Sequence, residues 1–276
     1  MVEMIKNDMM QGTKRNIWKF VLAFVFSFFC CFLLNRIVVE RVNSGMLREQ
    51  SPGFQDSILY ILGGMVKYVE SDKIRFEIPL NWTAVQLLVT SCIFLYPVKD
   101  LYERGNYMLI LSGSKKRWWI SKCIWSQIQV IILYGCIWCG AIFAALILRE
   151  DFSGLSNDIL NVVMNVSFYH SSGMIIYIMI MPIVHSLMAA IVQINISLVT
   201  GPVISIAIVL TYQVLSAYSQ RIYLLGNYSM ILRSDTFVRG GLCLSTGILI
   251  ELIVMFASVL GGLIYIQKKD VISKNH

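Results

Sequence analysis

"YPVKDLYERGNYMLILSGSKKRWWISK", residues Tyr96–Lys122, is a polar stretch standing between two long apolar runs. Lys99, Arg104, Lys115, Lys116, Arg117 and Lys122 crowd into it, although only 14% of the 276 residues are charged and 57% are hydrophobic. The mean hydropathy is +0.69. A soluble domain of this length needs far more polar surface to cover one core. The apolar residues instead fall into runs near the roughly 20 residues that cross a hydrocarbon layer. The sequence is that of an integral membrane protein. Its formal charge of +7 is carried beside apolar runs, which fits orientation in a bilayer better than binding of nucleic acid.

On both sides of that segment the apolar runs continue, and six crossings are expected in an all-α, polytopic chain forming a single transmembrane domain over 1–276. TM1 covers about 17–38 and an outer loop 39–79. TM2 covers 80–98, a polar loop 99–122, TM3 123–148, TM4 174–192, TM5 202–217 and TM6 242–266. The first run is too long for a secretory signal core, and no small-x-small cleavage pattern follows it in "LLNRIVVERV", so it reads as a retained anchor. With both termini cytoplasmic, residues 1–19, 98–122, 193–201 and 267–276 carry thirteen Lys/Arg against five Asp/Glu. The outer pieces 35–79, 149–173 and 218–241 carry ten of each. Basic residues near helix ends mark the cytoplasmic side, and Lys115-Lys116-Arg117 with Lys122 beside TM3 is the strongest vote. In the outer loop, Ile58, Ile61, Leu62 and Met65 recur at helical spacing, as in a short helix lying on or capping the bundle.

Written as a helix, 98–111 puts Val98, Leu101, Tyr102, Gly105, Met108 and Leu109 on one apolar face. Lys99, Asp100, Glu103, Arg104 and Asn106 point elsewhere. Such a helix lies along a membrane surface. Ser112-Gly113-Ser114 breaks it, and Lys115, Lys116, Arg117 and Lys122 then read as membrane-surface basic anchors. They also suit anionic lipid headgroups. Trp118 and Trp119 suit the headgroup level.

The order "YERGNYMLILSGSKKRWWISKCI" resembles the first cytoplasmic loop of ABC-2 type permeases, the membrane subunits of one large group of ATP-driven exporters. The terminal "IYIQKKDV", Ile264–Val271, is similar to the usual end of that family. The resemblance implies a cytoplasmic coupling helix between TM2 and TM3, on which Leu101, Tyr102, Glu103, Arg104, Gly105, Met108 and Leu109 couple to an ATP-binding subunit. It implies two such subunits holding ATP and Mg, a second permease copy or related permease chain, and a bacterial cytoplasmic membrane. The expected cargo is a peptide, antibiotic or lipid-like molecule, with antimicrobial peptide export or self-immunity as one setting. No G-x-x-x-x-G-K-[ST] phosphate cradle occurs in the chain, so no cofactor is expected in this subunit.

Glu251, in "LIELIVMF", is expensive at membrane depth and should face the bundle interior or pair. It is a candidate pathway residue unless "QRIYLLGNYSMILRSDTFVRGG" dips back into the membrane, which would leave Glu251 near outer water. His185 follows Pro182 by less than a turn and reads first as a structural histidine at a kink, with a pathway role as the alternative. No metal site is expected. The seven cysteines lie in or beside apolar runs, and Cys136-Ile-Trp-Cys139 reads as packing. Cys136, Gly140 and Ala144, and the pairs Ala257–Gly261 and Ser258–Gly262, mark close-packing faces. Hydrolase and metalloprotease motifs are absent. The competing expectation is a non-transporting assembly or sensor component that binds a partner through outer loop 39–79. A secondary transporter would need an inverted repeat, and none is visible.

Overall fold

The computed structural model describes residues 2–48, 50–69, 76–101, 114–152, 155–166 and 174–268. The described residues form helices α1 (Val2–Asn43), α2 (Phe54–Leu62), α3 (Leu80–Ile93) and α4 (Tyr96–Lys99). These are followed by α5 (Lys115–Leu148), α6 (Asn157–Val163), α7 (Met174–Thr200) and α8 (Pro202–Tyr218). Last come α9 (Gly226–Ser229), a 3₁₀ turn at Ile231–Arg233, and α10 (Leu244–Lys268). Among these residues there is no strand. Five stretches are long and apolar enough to cross a membrane: α1, α3 with α4, α5, α7 and α10. The chain is therefore a multi-pass membrane protein. The expected fifth span, α8, is apolar but shorter at 17 residues.

Several helices outrun the spans expected from hydropathy. α1 begins at Val2 rather than near 17, and its 42 residues reach about 63 Å at 1.5 Å per residue, twice the hydrocarbon thickness of roughly 30 Å. α5 begins at Lys115, inside the segment expected as loop, and α7 runs to Thr200 through what was expected as a connection. Hydropathy finds the part of a helix that sits in hydrocarbon. It is blind to polar turns that continue the same helix. Between α7 and α8 the turn is the single residue Gly201, whose φ of +92° needs a residue without Cβ. Pro202 then opens α8 with its fixed φ and missing N–H.

The direction of each helix follows from its hydrogen bonds. Asn16 donates to Gln129, Ser121 donates to Asp8, and Phe24 and Phe28 pack on Phe143, so α1 and α5 run parallel. Against α3 and α4, Asp8 meets Tyr96, Asn16 meets the Cys92 carbonyl and Cys30 meets Asn81; α1 and α3 are antiparallel. Gln127 reaches Leu187 and Tyr134 reaches Pro182, so α7 opposes α5. α7 and α10 are parallel through His185–Glu251, Asn195–Ser258 and Leu198–Tyr265. One end of the bundle thus collects the N-termini of α1 and α5 with the C-termini of α4 and α10. There Lys115 donates to the Gln267 carbonyl.

The small-residue faces divide by use. A Cβ on Gly140 would come within 2.4 Å of the Phe24 carbonyl oxygen and closer still to Ser27, and one on Gly262 would strike the Trp119 ring. Those two positions serve packing within the chain. Gly261 has open space at the same position. α2 does not merely lie on the surface: Ile58, Leu59, Ile61 and Leu62 are all buried.

Candidate functional site

The loop that carries the resemblance enters and leaves the bundle through one buried ion cluster. Lys122, 1% exposed, lies 2.5 Å from Asp8 Oδ1 and 2.6 Å from Asp100 Oδ2. Asp8 also accepts from the Tyr96 hydroxyl at 2.8 Å and, through Oδ2, from the Ser121 hydroxyl at 2.6 Å. Trp118 Nε1 donates to Asp100 at 3.1 Å. The Lys122 ammonium sits 4.5 Å from the Tyr96 ring centroid and 5.7 Å from that of Trp118, distances at which a cation is drawn to an aromatic face. Every member is buried. Charges taken out of water persist only when paired and hydrogen-bonded, and here one ammonium serves two carboxylates whose remaining lone pairs are largely met by neutral donors. Asp100 precedes residues 102–113 and Lys122 follows them, while Asp8 belongs to α1. Both flanks of the loop are therefore bound to each other and to the longest helix.

This arrangement corrects one sequence expectation. Lys122 is not a surface anchor like exposed Lys116 and Arg117 or partly exposed Lys115. Trp118 and Trp119 are both buried, and Trp119 Nε1 donates to the Val259 carbonyl of α10 at 2.9 Å. Of the expected coupling residues, Leu101 is buried directly after Asp100. Tyr102, Glu103, Arg104, Gly105, Met108 and Leu109 lie outside the described residues.

A second polar cluster joins three helices in the bundle interior. His185 Nδ1 is 2.7 Å from Glu251 Oε1. With that nitrogen carrying the proton, Nε2 accepts from the Gln213 amide at 2.8 Å. His185 and Glu251 are fully buried and Gln213 nearly so. Tyr134 lies close by, its hydroxyl donating to the Pro182 carbonyl at 3.0 Å and bonding Ser186 at 2.9 Å. Tyr134, not His185, thus bonds the backbone at Pro182. The sequence treated His185 and Glu251 one at a time and found no neighbour for the histidine within its own helix. Their partnership is tertiary, and the clue was the rule that intramembrane ionisable groups pair with one another.

The segment 219–243 folds back on the far end of α8 without exposing Glu251 to water. It carries Arg233, 1% exposed, which the charge count had assigned to an outer loop. Arg233 Nε donates to the Met65 carbonyl at 3.0 Å. Its terminal nitrogens donate to Ser216 at 2.7 Å, to Val66 at 3.4 Å, and to the Ala217 carbonyl and Asn227 side chain. Five N–H groups meet five neutral acceptors. Burial alone pulls its pKa down to about 10.

No protein-family model, curated protein or solved structure matches the chain. Functional inference therefore rests on the residues themselves.

Proposed function

We propose that the chain is the permease subunit of an ATP-driven exporter of the ABC-2 type, with six crossings, both termini in the cytosol and a coupling helix within residues 99–122. In that assembly two permease chains, identical or related, join two ATP-binding subunits that hold ATP and Mg. The subunit moves a peptide, antibiotic or lipid-like substrate across a bacterial cytoplasmic membrane. The observation that carries this proposal is the Asp8–Lys122–Asp100 cluster. A partner pushing on residues 102–113 displaces Asp100 and Lys122 together, and Asp8 passes that displacement to α1. A loop that only set topology would need no such buried linkage. The alternating helix directions and the gathering of Lys115–Lys122 and Lys268 at one end of the bundle agree with it. The competing idea of a sensor docking through residues 39–79 loses ground because the apolar face of α2 is already occupied inside the bundle.

Replacing Glu103 and Arg104 together with alanine is expected to lower co-purification of the ATP-binding subunit and transport at least tenfold, with unchanged membrane insertion. Quantitative pull-down from solubilised membranes checks this. Undiminished capture and transport would remove the coupling role.

A further inference from the structure

Beside the His185 cluster, between α7, α8 and α10, lies a cavity of about 180 Å³. Its walls are almost wholly apolar, from Ala189, Val192, Val209 and Val254 among others, with His185 and Gln213 as the polar side. A dry cavity of about 150 Å³ accepts benzene, so this one takes an apolar body of that size. Glu251 stands directly behind His185. Its Oε1 is bonded, but its Oε2 is buried with no hydrogen-bond partner. The Tyr134 hydroxyl is committed to Pro182 and Ser186, and that of Tyr212 to the Tyr223 carbonyl and Leu225 N–H. Neither is left to serve the free carboxylate oxygen. A buried carboxylate with one oxygen unpartnered, standing one side chain behind an apolar hole, favours a cation on a hydrophobic body in that hole.

We propose that this cavity, with His185, Gln213 and Glu251, binds a protonated primary amine attached to a benzene-sized apolar group. The apolar group fills the cavity. The ammonium lies against the His185–Gln213 wall and supplies the counter-charge to Glu251. That the site belongs to a transport route rests on the permease proposal; the binding itself does not.

The test uses the full chain in lipid nanodiscs without nucleotide or partner, comparing benzylamine at neutral pH with benzyl alcohol by ligand-observed NMR. Benzylamine is expected to bind at least tenfold more tightly than the alcohol. Glu251→Gln should bring the two within twofold by weakening the amine alone. Ala189→Phe, which fills the cavity, should abolish both. Equal binding of amine and alcohol to the unaltered chain would overturn the proposal, as would an amine preference that survives Glu251→Gln. Binding of the alcohol alone would also overturn it and mark the cavity as a site for neutral lipid tails. Should Glu251→Gln fail to fold, the ratio measured on the unaltered chain still decides. None of these outcomes bears on capture of an ATP-binding subunit, so the two proposals fail separately.

Discussion

Lys122 and Arg233 are buried to the same degree at opposite ends of α3, yet the bundle neutralises them in different ways. Lys122 faces two carboxylates from separate helices. Arg233 faces carbonyl and amide oxygens only. The contrast follows from side-chain chemistry: an ammonium is a compact charge on a flexible stem, whereas a guanidinium is a rigid fork that fixes several acceptors at once. Arg233 staples the 63–66 segment, the end of α8 and the 226–234 turn into one block. Leu232 N–H, which donates to the Gly63 carbonyl at 3.1 Å, adds to the same block. Lys122 holds three elements by charge, and charges on a long stem can exchange partners. The Arg233 end is fixed by geometry, whereas the Lys122 end is held by charge balance.

The largest expected effect is at the fixed end. Arg233→Met strips five acceptors of their donor and should cost about 3–5 kcal/mol, since buried polar groups left unpaired pay their full desolvation penalty. Arg233→Lys should recover little, because three donors cannot serve five acceptors. Thermal unfolding of the purified chain in detergent measures both, and full recovery by lysine would erase the distinction between the two ends. At the Lys122 end, Lys122→Met should cost about 3 kcal/mol by leaving two buried carboxylates unneutralised. Here, unlike at Arg233, a neutral rescue is expected: adding Asp8→Asn and Asp100→Asn to Lys122→Met should restore most of the loss. A triple variant no more stable than the single one would show that shape, rather than charge balance, holds the cluster.

The smallest effect concerns a third buried ionisable group. Glu150, just past the end of α5, is held up to about 7 from 4.5, first by burial and then by the nearby Asp56 charge, against a hydrogen bond from Ser57. Its folded form takes a proton more readily than its unfolded form. Stability from this group is therefore full below about pH 4.5 and is lost as pH rises through about 7. Glu150→Gln should flatten that part of a melting-temperature profile while leaving the Lys122 and Arg233 effects unchanged.

The expected bounds of α8, of α10 and of α3 with α4 lie within about two residues of the observed helices. The polar turns that extend α1, α5 and α7 were missed, because hydropathy is a local property. The junction between α7 and α8, expected as a connection over 193–201, is the single residue Gly201. The sequence could not foresee that Lys122 is buried. Its partner Asp8 lies 114 positions away, and a lysine beside basic neighbours looks like one more anchor until a distant helix supplies carboxylates. His185 and Glu251, 66 positions apart, were each noticed as unusual but not as a pair. Arg233 was counted as an outer charge since nothing local shows that backbone carbonyls from 65, 66, 216 and 217 converge on it.

The claim on which the account turns is that residues 102–113 meet an ATP-hydrolysing subunit on the cytosolic side. A photo-crosslinking amino acid at position 103, activated in intact cells, tests it most directly. We predict a covalent adduct between this chain and an ATP-binding protein, with a yield that changes when cellular ATP is depleted. An adduct with no such protein, or with an extracytoplasmic one, would contradict the account.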